Sequence, residues 1–342
     1  MSKIQLFDRN APDLVASLNV DSGQDTRRGV NYRATPLLEN AVNTALALGR
    51  PLLVSGEPGC GKTELGFAIA RKLGIDRVRF FPVKSDSDAQ RLFYEYDSLR
   101  RFHAAQLSSR ASADASAADP RNFIEYRALG RAILDAYERE KVAHLTASGH
   151  NFPAAPTRSV VVIDEIDKAP RDFPNDLLNE IDQLWFRVPE LAGSVASPEI
   201  PRDAIPADLR PIIVITSNLE RQLPDAFLRR CVFHHIEHPD EKTLELITVN
   251  HLQRMALKLA DSEIRKAIAL MDWARQQRFD KPPGLAELLE FVRAIGIRAE
   301  NFSDPGFRER ALASLSALGK TTRDIETLRN HLEGSTDTLD KQ

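Results

Sequence analysis

Cysteine is nearly absent from this sequence, whose 342 residues include only Cys60 and Cys231. Two cysteines cannot build a disulfide framework, which excludes the disulfide-rich secreted class and favours a reducing compartment. The N-terminal residues lack an apolar core of signal length. No apolar run approaches the roughly 18 residues of a membrane-spanning helix. We therefore expect a cytoplasmic protein that does not interact with a membrane.

Neither sign of charge is in large excess, since 46 Lys and Arg residues stand against 49 Asp and Glu residues, for a net charge of −3. This balance lacks the basic footprint of a nucleic-acid-binding chain, so nucleic acid is not indicated as a partner. Apolar residues make up 42% and charged residues 28%, as in ordinary soluble globular proteins. The chain is long enough for a large core and two domains.

The order of apolar runs and helical segments predicts an α/β protein with a second, helical domain. Five short apolar runs alternate with helices as far as residue 236, at 51–55, 78–83, 159–163, 211–216 and 231–236. This alternation is typical of a three-layer fold with a parallel sheet. Beyond Glu241 the pattern is helical only, to about residue 332. We therefore expect a lead-in at 1–31, an α/β domain at 32–239, a helical domain at 240–332 and a disordered tail at 333–342.

The segments between these strands are less regular. Residues 84–105 and 122–145 have helical patterns, and small polar residues fill the stretch between them. We expect 106–157 to be a flexible insertion. A Pro- and Ala-rich segment at 188–210 leads into the fourth predicted strand.

A glycine-rich motif follows the first predicted strand and precedes a helix. It has the pattern of Gly, four residues, then Gly-Lys-Thr: Gly56, Glu57, Pro58, Gly59, Cys60, Gly61, Lys62 and Thr63. Glycines let successive backbone N–H groups surround an anion, and the helix N-terminus adds its dipole. Lys62 supplies a charge for the β- and γ-phosphates of ATP, and Thr63 offers a hydroxyl to Mg²⁺. These eight residues therefore predict an ATP site.

Two acidic residues follow the strand at 159–163. A carboxylate at the end of a buried strand beside a phosphate loop is suited to holding Mg²⁺, and we assign this role to Asp164. The next residue, Glu165, is the candidate base that polarises the attacking water. Asp167 is the candidate cap of the following turn.

Polar residues also follow the fourth and precede the fifth predicted strand. Asn218 stands at a strand tip, where its amide can orient water against the γ-phosphate. Arg229 and Arg230 follow a short helix and are candidates for an arginine finger that reaches a neighbouring subunit's γ-phosphate. Such a finger would make hydrolysis depend on assembly.

These signatures, in this order, resemble an AAA+ ATPase. Gly56–Thr63 resembles Walker A, 160–165 resembles Walker B, Asn218 matches sensor 1, and Arg230 fits the usual finger position. A finer resemblance to the MoxR branch is carried by Glu64 after the phosphate loop and by four further segments: 175–182, 186–190, 216–220 and 223–226.

The resemblance implies a P-loop AAA+ core, a helical lid domain and a homo-oligomer, commonly a hexameric ring. It also implies a helix-2 insert within 84–105, a hairpin at 188–210 before sensor 1, and ATP binding that involves Glu64. The family's lid often presents an arginine to the γ-phosphate, but this chain has none at the expected turn, where Lys281 is the candidate substitute. MoxR-like proteins often act as chaperone-like remodellers with a partner that carries a von Willebrand factor A domain.

Several functions remain open at this point. The first is ATP-driven remodelling or activation of a partner protein. The second is a nucleic-acid-directed motor resembling McrB, although such a motor usually hydrolyses GTP and carries a separate DNA-binding domain, which the sequence does not indicate. An ATPase component of a bacterial conflict or antiphage module is a further alternative. A scaffold without turnover is disfavoured because Lys62, Asp164, Glu165 and Asn218 are all present.

Overall fold

The computed structural model describes residues 5–20, 28–30, 32–108, 119–301 and 306–334. The chain divides into two compact units, the first comprising Met1–Ser55 and Lys62–His235 and the second comprising Gly56–Gly61 and Ile236–Gln342. The tail predicted at 333–342 lies outside the described residues from position 335 onward.

A six-stranded sheet, mostly within the first unit, has the strand order β1-β3-β6-β7-β2-β8. The strands are β1 Asn19–Val20, β2 Leu52–Gly56, β3 Arg77–Pro82, β6 Val160–Asp164, β7 Ile212–Ser217 and β8 Val232–Ile236. Strand β1 pairs with β3, β3 with β6, β6 with β7 and β7 with β2, and each of these pairs is parallel. The predicted α/β fold class with a parallel sheet and a following helical region is confirmed.

Burial explains why these runs become central strands. Every residue of β2 and β7 is buried, as is most of β6, so both faces of these strands are covered. Parallel strands covered on both faces read as continuous apolar runs. The preceding helix, α1 Pro36–Leu48, is capped at its N-terminus by Thr35, whose hydroxyl accepts from the Leu38 N–H, and at its C-terminus by Gly49 in the left-handed conformation. Helix α2 spans Lys62–Lys72.

The sequence analysis did not predict β1, because two residues are too short to show a period. This strand pairs with Arg77 and Val78 of β3. The segment before it is held by Arg71, whose guanidinium donates to the carbonyls of Val15 and Ala16. The expected lead-in therefore contributes an edge strand to the sheet.

The prediction of helix throughout 84–105 and 122–145 was wrong. These segments form α3 Gln90–Phe93, β4 Tyr94–Tyr96, α4 Ser98–Ser108, β5 Ile124–Tyr126, α5 Ala128–Asp135 and α6 Arg139–Val142. Strands β4 and β5 form a separate antiparallel pair in which Glu95 lies opposite Glu125. Arg127 donates to both carboxylates, at 2.6 and 2.8 Å, and so offsets their repulsion. Residues 109–118 of the expected flexible insertion lie outside the described part of the chain, whereas 119–157 has defined structure.

The segment at 188–210 folds back on itself without forming extended strands. The Val188 N–H donates to the Pro198 carbonyl at 2.7 Å, the Ile200 N–H donates to the Phe186 carbonyl at 3.2 Å, and Arg187 forms an isolated antiparallel bridge with Glu199. The helices on either side of this segment are α7 Phe173–Asp176, α8 Leu178–Gln183 and α9 Asp225–Leu228.

Helices form the described part of the second unit beyond β8. They are α10 Glu241–Arg254, α11 Asp261–Gln276, α12 Leu285–Asn301, α13 Phe307–Leu312, α14 Leu315–Leu318 and α15 Thr322–Gly334. Their core contains the fully buried Leu288, Phe291 and Ile295 of α12. Within the described ranges, no helix combines the length and apolarity needed to cross a bilayer.

We predict that Gly130→Ala destabilises the first unit. A Cβ atom at Gly130 would lie 2.0 Å from the Phe93 carbonyl oxygen, which belongs to rigid backbone at the end of α3. Overpacking of this kind costs about 1–3 kcal/mol. The urea midpoint of unfolding should fall accordingly. The matched control is Gly306→Ala, because a Cβ there meets nothing within 4 Å. Equal midpoints for the two variants would contradict the prediction.

Candidate functional site

The glycine-rich loop connects β2 to α2 through backbone that ordinary residues avoid. Gly59 and Gly61 have φ angles of 77° and 91°. Glycine adopts such angles without steric cost, and left-handed residues that alternate with ordinary ones turn successive N–H groups toward one side, which creates a concavity for anions. Lys62 and Thr63 then begin α2, and the Lys62 side chain is buried, with 5% of its surface exposed. This local geometry suits the phosphate contacts predicted for the motif.

Thr63 lies against the carboxylate predicted to hold magnesium. Its hydroxyl donates to Asp164 Oδ1 at 2.7 Å. Magnesium prefers oxygen ligands and keeps several of its waters. A hydroxyl and a carboxylate oxygen at this separation are a donor set that fits Mg²⁺, with Thr63 and Asp164 as the residues that would hold it.

Thr216 joins the two predicted acidic residues and was missed by the sequence analysis. Its hydroxyl donates to Asp164 Oδ1 at 2.8 Å and accepts from the Glu165 N–H at 2.8 Å. Thr216 is fully buried in β7, next to β6 in the sheet. A polar side chain inside an otherwise apolar strand was the available signal, because a buried hydroxyl needs partners.

Glu165 turns sharply out of β6. Its φ of 59° places a non-glycine residue in the left-handed region, a conformation that costs about 1–3 kcal/mol and often occurs at functional sites. The side chain is then held at both oxygens, since Asn218 Nδ2 donates to Oε1 at 3.1 Å and Lys168 Nζ donates to Oε2 at 2.5 Å. The hydrogen bond to Glu165 raises the pKa of Lys168 above its ordinary value. The predicted base and the predicted sensor are therefore in direct contact.

Asp167 does not cap its own turn as the sequence analysis expected. Its two carboxylate oxygens accept from the backbone N–H groups of Asn218 and Glu220, at 3.2 and 3.0 Å. Asn218 and Glu220 follow the end of β7, so their N–H groups need acceptors from a neighbouring segment, and Asp167 supplies them. Asp167 thus fixes the backbone that carries Asn218.

Glu64, predicted to contribute to ATP binding, faces a different neighbour. Its carboxylate accepts from Arg28 Nε at 2.6 Å and from the Gly29 N–H at 2.7 Å. Both partners lie in the N-terminal segment. Glu64 is therefore engaged in holding that segment to α2.

The two candidate finger residues have different surroundings. Arg230 Nε donates to Asp182 Oδ2 at 2.7 Å, and its Nη1 donates to the Ala226 carbonyl at 3.2 Å. Arg229 is exposed. A role for either residue in a neighbouring subunit stays a prediction.

In the second unit, an arginine contacts the loop residue Glu57. The guanidinium of Arg275 donates to both Glu57 oxygens at 2.9 Å and also to the Pro283 carbonyl. His238 Nδ1 lies 3.8 Å from the same carboxylate, and burial together with Arg275 lowers the pKa of His238. The sequence analysis missed Arg275 because it precedes the turn where a lid arginine was sought.

Lys281, the predicted substitute for that arginine, is exposed. Its backbone N–H donates to the buried Asp324 carboxylate at 3.4 Å. In this structure, the described lid residue whose charge reaches the loop is therefore Arg275.

The two cysteines and the nearby histidines have separate environments. Burial raises the pKa of the Cys231 thiol to about 12. His235 Nδ1 lies 2.9 Å from Ser55 Oγ, on the face of β8 that alternation separates from His234. Cys60 is buried within the phosphate loop.

Comparison with known proteins identifies one family model, described as AAA domain (dynein-related subfamily), which matches residues 51–231. No curated protein matches the chain. Among solved structures, domain III of the Thermotoga maritima replication initiation protein DnaA is similar, with 14% identity, 86% of this chain and 97% of that chain covered, and a TM-score of 0.45.

A chain of the E. coli MS115-1 HORMA:CdnC:Trip13 complex is also similar. It has 15% identity and a TM-score of 0.40, with 78% of this chain and 72% of that chain covered. At these scores neither structure carries an argument about function.

We predict that Thr216→Val destabilises the first unit by about 1–3 kcal/mol, because the Glu165 N–H loses its acceptor and Asp164 loses a donor. Urea unfolding monitored by circular dichroism measures this change. The control is Thr44→Val, since the Thr44 hydroxyl is exposed and donates only within α1, to the Asn40 carbonyl. Similar midpoints for the two variants would show that the Thr216 hydroxyl does not organise the site.

Proposed function

The chain belongs to the AAA domain family in its dynein-related subfamily, and from that premise we propose that it is an ATP hydrolase that works with Mg²⁺. The proposal rests above all on one continuous hydrogen-bond network. Thr63 donates to Asp164, Thr216 joins Asp164 to Glu165, and Asn218 donates to Glu165. These contacts join α2, β6 and β7, the elements that follow or flank the phosphate loop.

Each member of this network has a proposed role. Backbone N–H groups of the loop and the Lys62 ammonium bind the phosphates, while Thr63 and Asp164 hold the metal. Mg²⁺ held by Thr63 and Asp164 would supply positive charge against the phosphates of the nucleotide. Glu165 accepts a proton from the attacking water, and Asn218 orients that water.

The contact with Lys168 is compatible with Glu165 as the base because it occupies only one of the two carboxylate oxygens. Oε2 is held by the Lys168 ammonium, and Oε1 accepts from Asn218. A carboxylate oxygen has more than one lone pair, so Oε1 retains capacity for a water. The attacking water would therefore bind the same oxygen, Glu165 Oε1, that accepts from the amide of Asn218.

We propose that hydrolysis is completed in a homo-oligomer, with six subunits as the expected number. Arg230 is the preferred finger and Arg229 its neighbour. Within one chain Arg230 pairs with Asp182, where the side chains are 41% and 43% exposed. A neighbour's γ-phosphate carries more charge than one carboxylate, so it competes effectively for the same guanidinium.

For the biological role, we propose chaperone-like remodelling or activation of a partner protein, as in the MoxR branch. The segments 175–182, 186–190 and 216–220 support that branch. A partner with a von Willebrand factor A domain is the expected kind, and the folded-back segment at 188–210 together with the insert at 84–105 is the proposed contact surface.

The first test is ATPase rate against protein concentration for wild type, Glu165→Gln, Arg230→Ala and Arg229→Ala. We expect specific activity to rise with concentration and to fall by about 10³-fold or more in Glu165→Gln and Arg230→Ala. Mixing these two variants should restore part of the activity, because one variant supplies an intact base and the other an intact finger.

Arg229→Ala is the matched neighbouring control and should retain most of the activity. Activity independent of concentration, with normal turnover in Arg230→Ala, would rule out the shared site. Stimulation of turnover by DNA would instead favour the nucleic-acid motor.

We predict that Arg275→Met weakens ATP binding about threefold to tenfold, because it leaves the Glu57 carboxylate uncompensated beside the incoming phosphates. Fluorescent-nucleotide titration measures the affinity. In the double variant Glu57→Gln with Arg275→Met, affinity should return to near the wild-type value. If the double variant binds as weakly as Arg275→Met alone, Arg275 contacts the nucleotide itself and does not merely neutralise Glu57.

A further inference from the structure

An arginine stands two residues before each of four neighbouring strands. Arg158 precedes β6, Arg210 precedes β7, Arg50 precedes β2 and Arg230 precedes β8. These strands are consecutive in the sheet, in the order β6-β7-β2-β8. Because neighbouring strands lie about 4.8 Å apart, the four arginines form a row along the amino-terminal edge of the sheet. The predicted ATPase residues follow the carboxyl-terminal edge.

Three members of this row line a cavity within the first unit. Arg50, Arg158 and Arg210 surround a volume of about 220 Å³. The remaining lining is mostly apolar and includes Val42, Leu46, Leu52, Ile69, Ile205 and Ile212. A second cavity of about 410 Å³ shares Ile205 and Arg210 with it. The cavity therefore combines an apolar interior with three positively charged side chains.

The contacts of these arginines within the chain do not neutralise them. Arg158 Nε donates to the Arg210 carbonyl at 2.7 Å, and Arg210 Nη2 donates to the Asp182 carbonyl at 3.0 Å. Both acceptors are uncharged. The Asp182 carboxylate is engaged by Arg230, which is therefore excluded from the proposed site.

Two further carboxylates, those of Asp203 and Asp208, lie on the segment at 188–210 that ends at Arg210. Asp203 pairs with Lys141 at 2.8 Å. Asp208 raises the pKa of Arg158, against the larger effect of burial, which lowers it. Among the described residues, Asp208 is therefore the one nearby carboxylate without an ion pair, against the three guanidinium groups of the cavity. The excess charge at the cavity is positive.

This combination favours a ligand that is both anionic and apolar. A nucleic-acid backbone would supply phosphates but no group for the apolar interior. A cavity of about 150 Å³ already accepts benzene, so the volume here is enough for an aromatic or large aliphatic side chain. We propose that this cavity binds an acidic peptide segment of a partner protein, with one apolar side chain inside and flanking carboxylates on Arg50, Arg158 and Arg210.

Binding at this edge does not require ATP hydrolysis, because the proposed residues are separate from the loop, Asp164 and Glu165. Basal ATPase activity therefore serves as an independent measure of folding. The proposed peptide site and the proposed ATPase function can fail separately.

The experiment uses the full chain and a fluorescein-labelled heptapeptide with a central phenylalanine flanked by three acidic residues on each side. Fluorescence anisotropy measures its affinity. Control probes replace phenylalanine by serine, or the acidic residues by lysine, and a single-stranded oligonucleotide of equal charge tests nucleic acid. We expect only the acidic peptide with phenylalanine to bind.

Two variants address the two halves of the site. Arg50→Glu reverses an exposed charge at the cavity, and Ala207→Trp places a large side chain at an exposed lining position. Each should weaken peptide binding about tenfold while leaving ATPase activity unchanged. Arg323→Glu is the matched control, because that side chain is 73% exposed on α15, outside the cavity.

Weakening confined to Arg50→Glu and Ala207→Trp supports the proposal. Equal affinity of Arg50→Glu and Arg323→Glu for the peptide would overturn it. So would absence of peptide binding up to a concentration of about 1 mM, which corresponds to only about 4 kcal/mol of binding free energy, or Arg50-dependent binding of the oligonucleotide without the peptide.

Discussion

The carboxylate of Asp164 is the acceptor on which the geometry of the candidate site depends. One of its oxygens accepts from Thr63 at the start of α2 and from Thr216 in β7. Three elements distant in sequence therefore meet at a single atom. An ionised carboxylate accepts such bonds more strongly than a neutral carbonyl does. If this carboxylate were removed, the hydroxyls of Thr63 and the buried Thr216 would lose their common acceptor.

The central strands could be predicted because their signal is local. The runs that became β2, β6 and β7 are mostly apolar, which is the pattern expected of strands buried on both faces. The ends of α1 also depend on local residues, since Thr35 and Gly49 cap it. Strands β4 and β5 were not readable, because each has three residues and gains its stability from the other. Pairing across an intervening helix leaves no period in either segment.

The site divides in the same way. Lys62, Thr63, Asp164, Glu165 and Asn218 lie at or next to the ends of strands or at the start of α2, so their order in the sequence predicted that they would lie close together, and their roles stay a prediction. Arg275 gave no such signal, because its contact with Glu57 depends on how α11 packs within its own unit. At Glu64 the resemblance implied a part in ATP binding, which stays a prediction, and it gave no sign of the contacts that the carboxylate makes with Arg28 and Gly29. The position of a residue in a motif predicts where its backbone lies, whereas the group that its side chain contacts depends on the whole fold.

The row of arginines and the hydrolytic residues lie at opposite ends of the same strands. Strand β2 has five residues, which corresponds to a rod of about 17 Å. Hydrogen-bonded parallel strands resist stretching, so they move as one stiff unit. A displacement imposed at one end would therefore reach the other end with the pairing of Ser55 and Ser217 preserved. The sheet can thus act as a mechanical element as well as a scaffold.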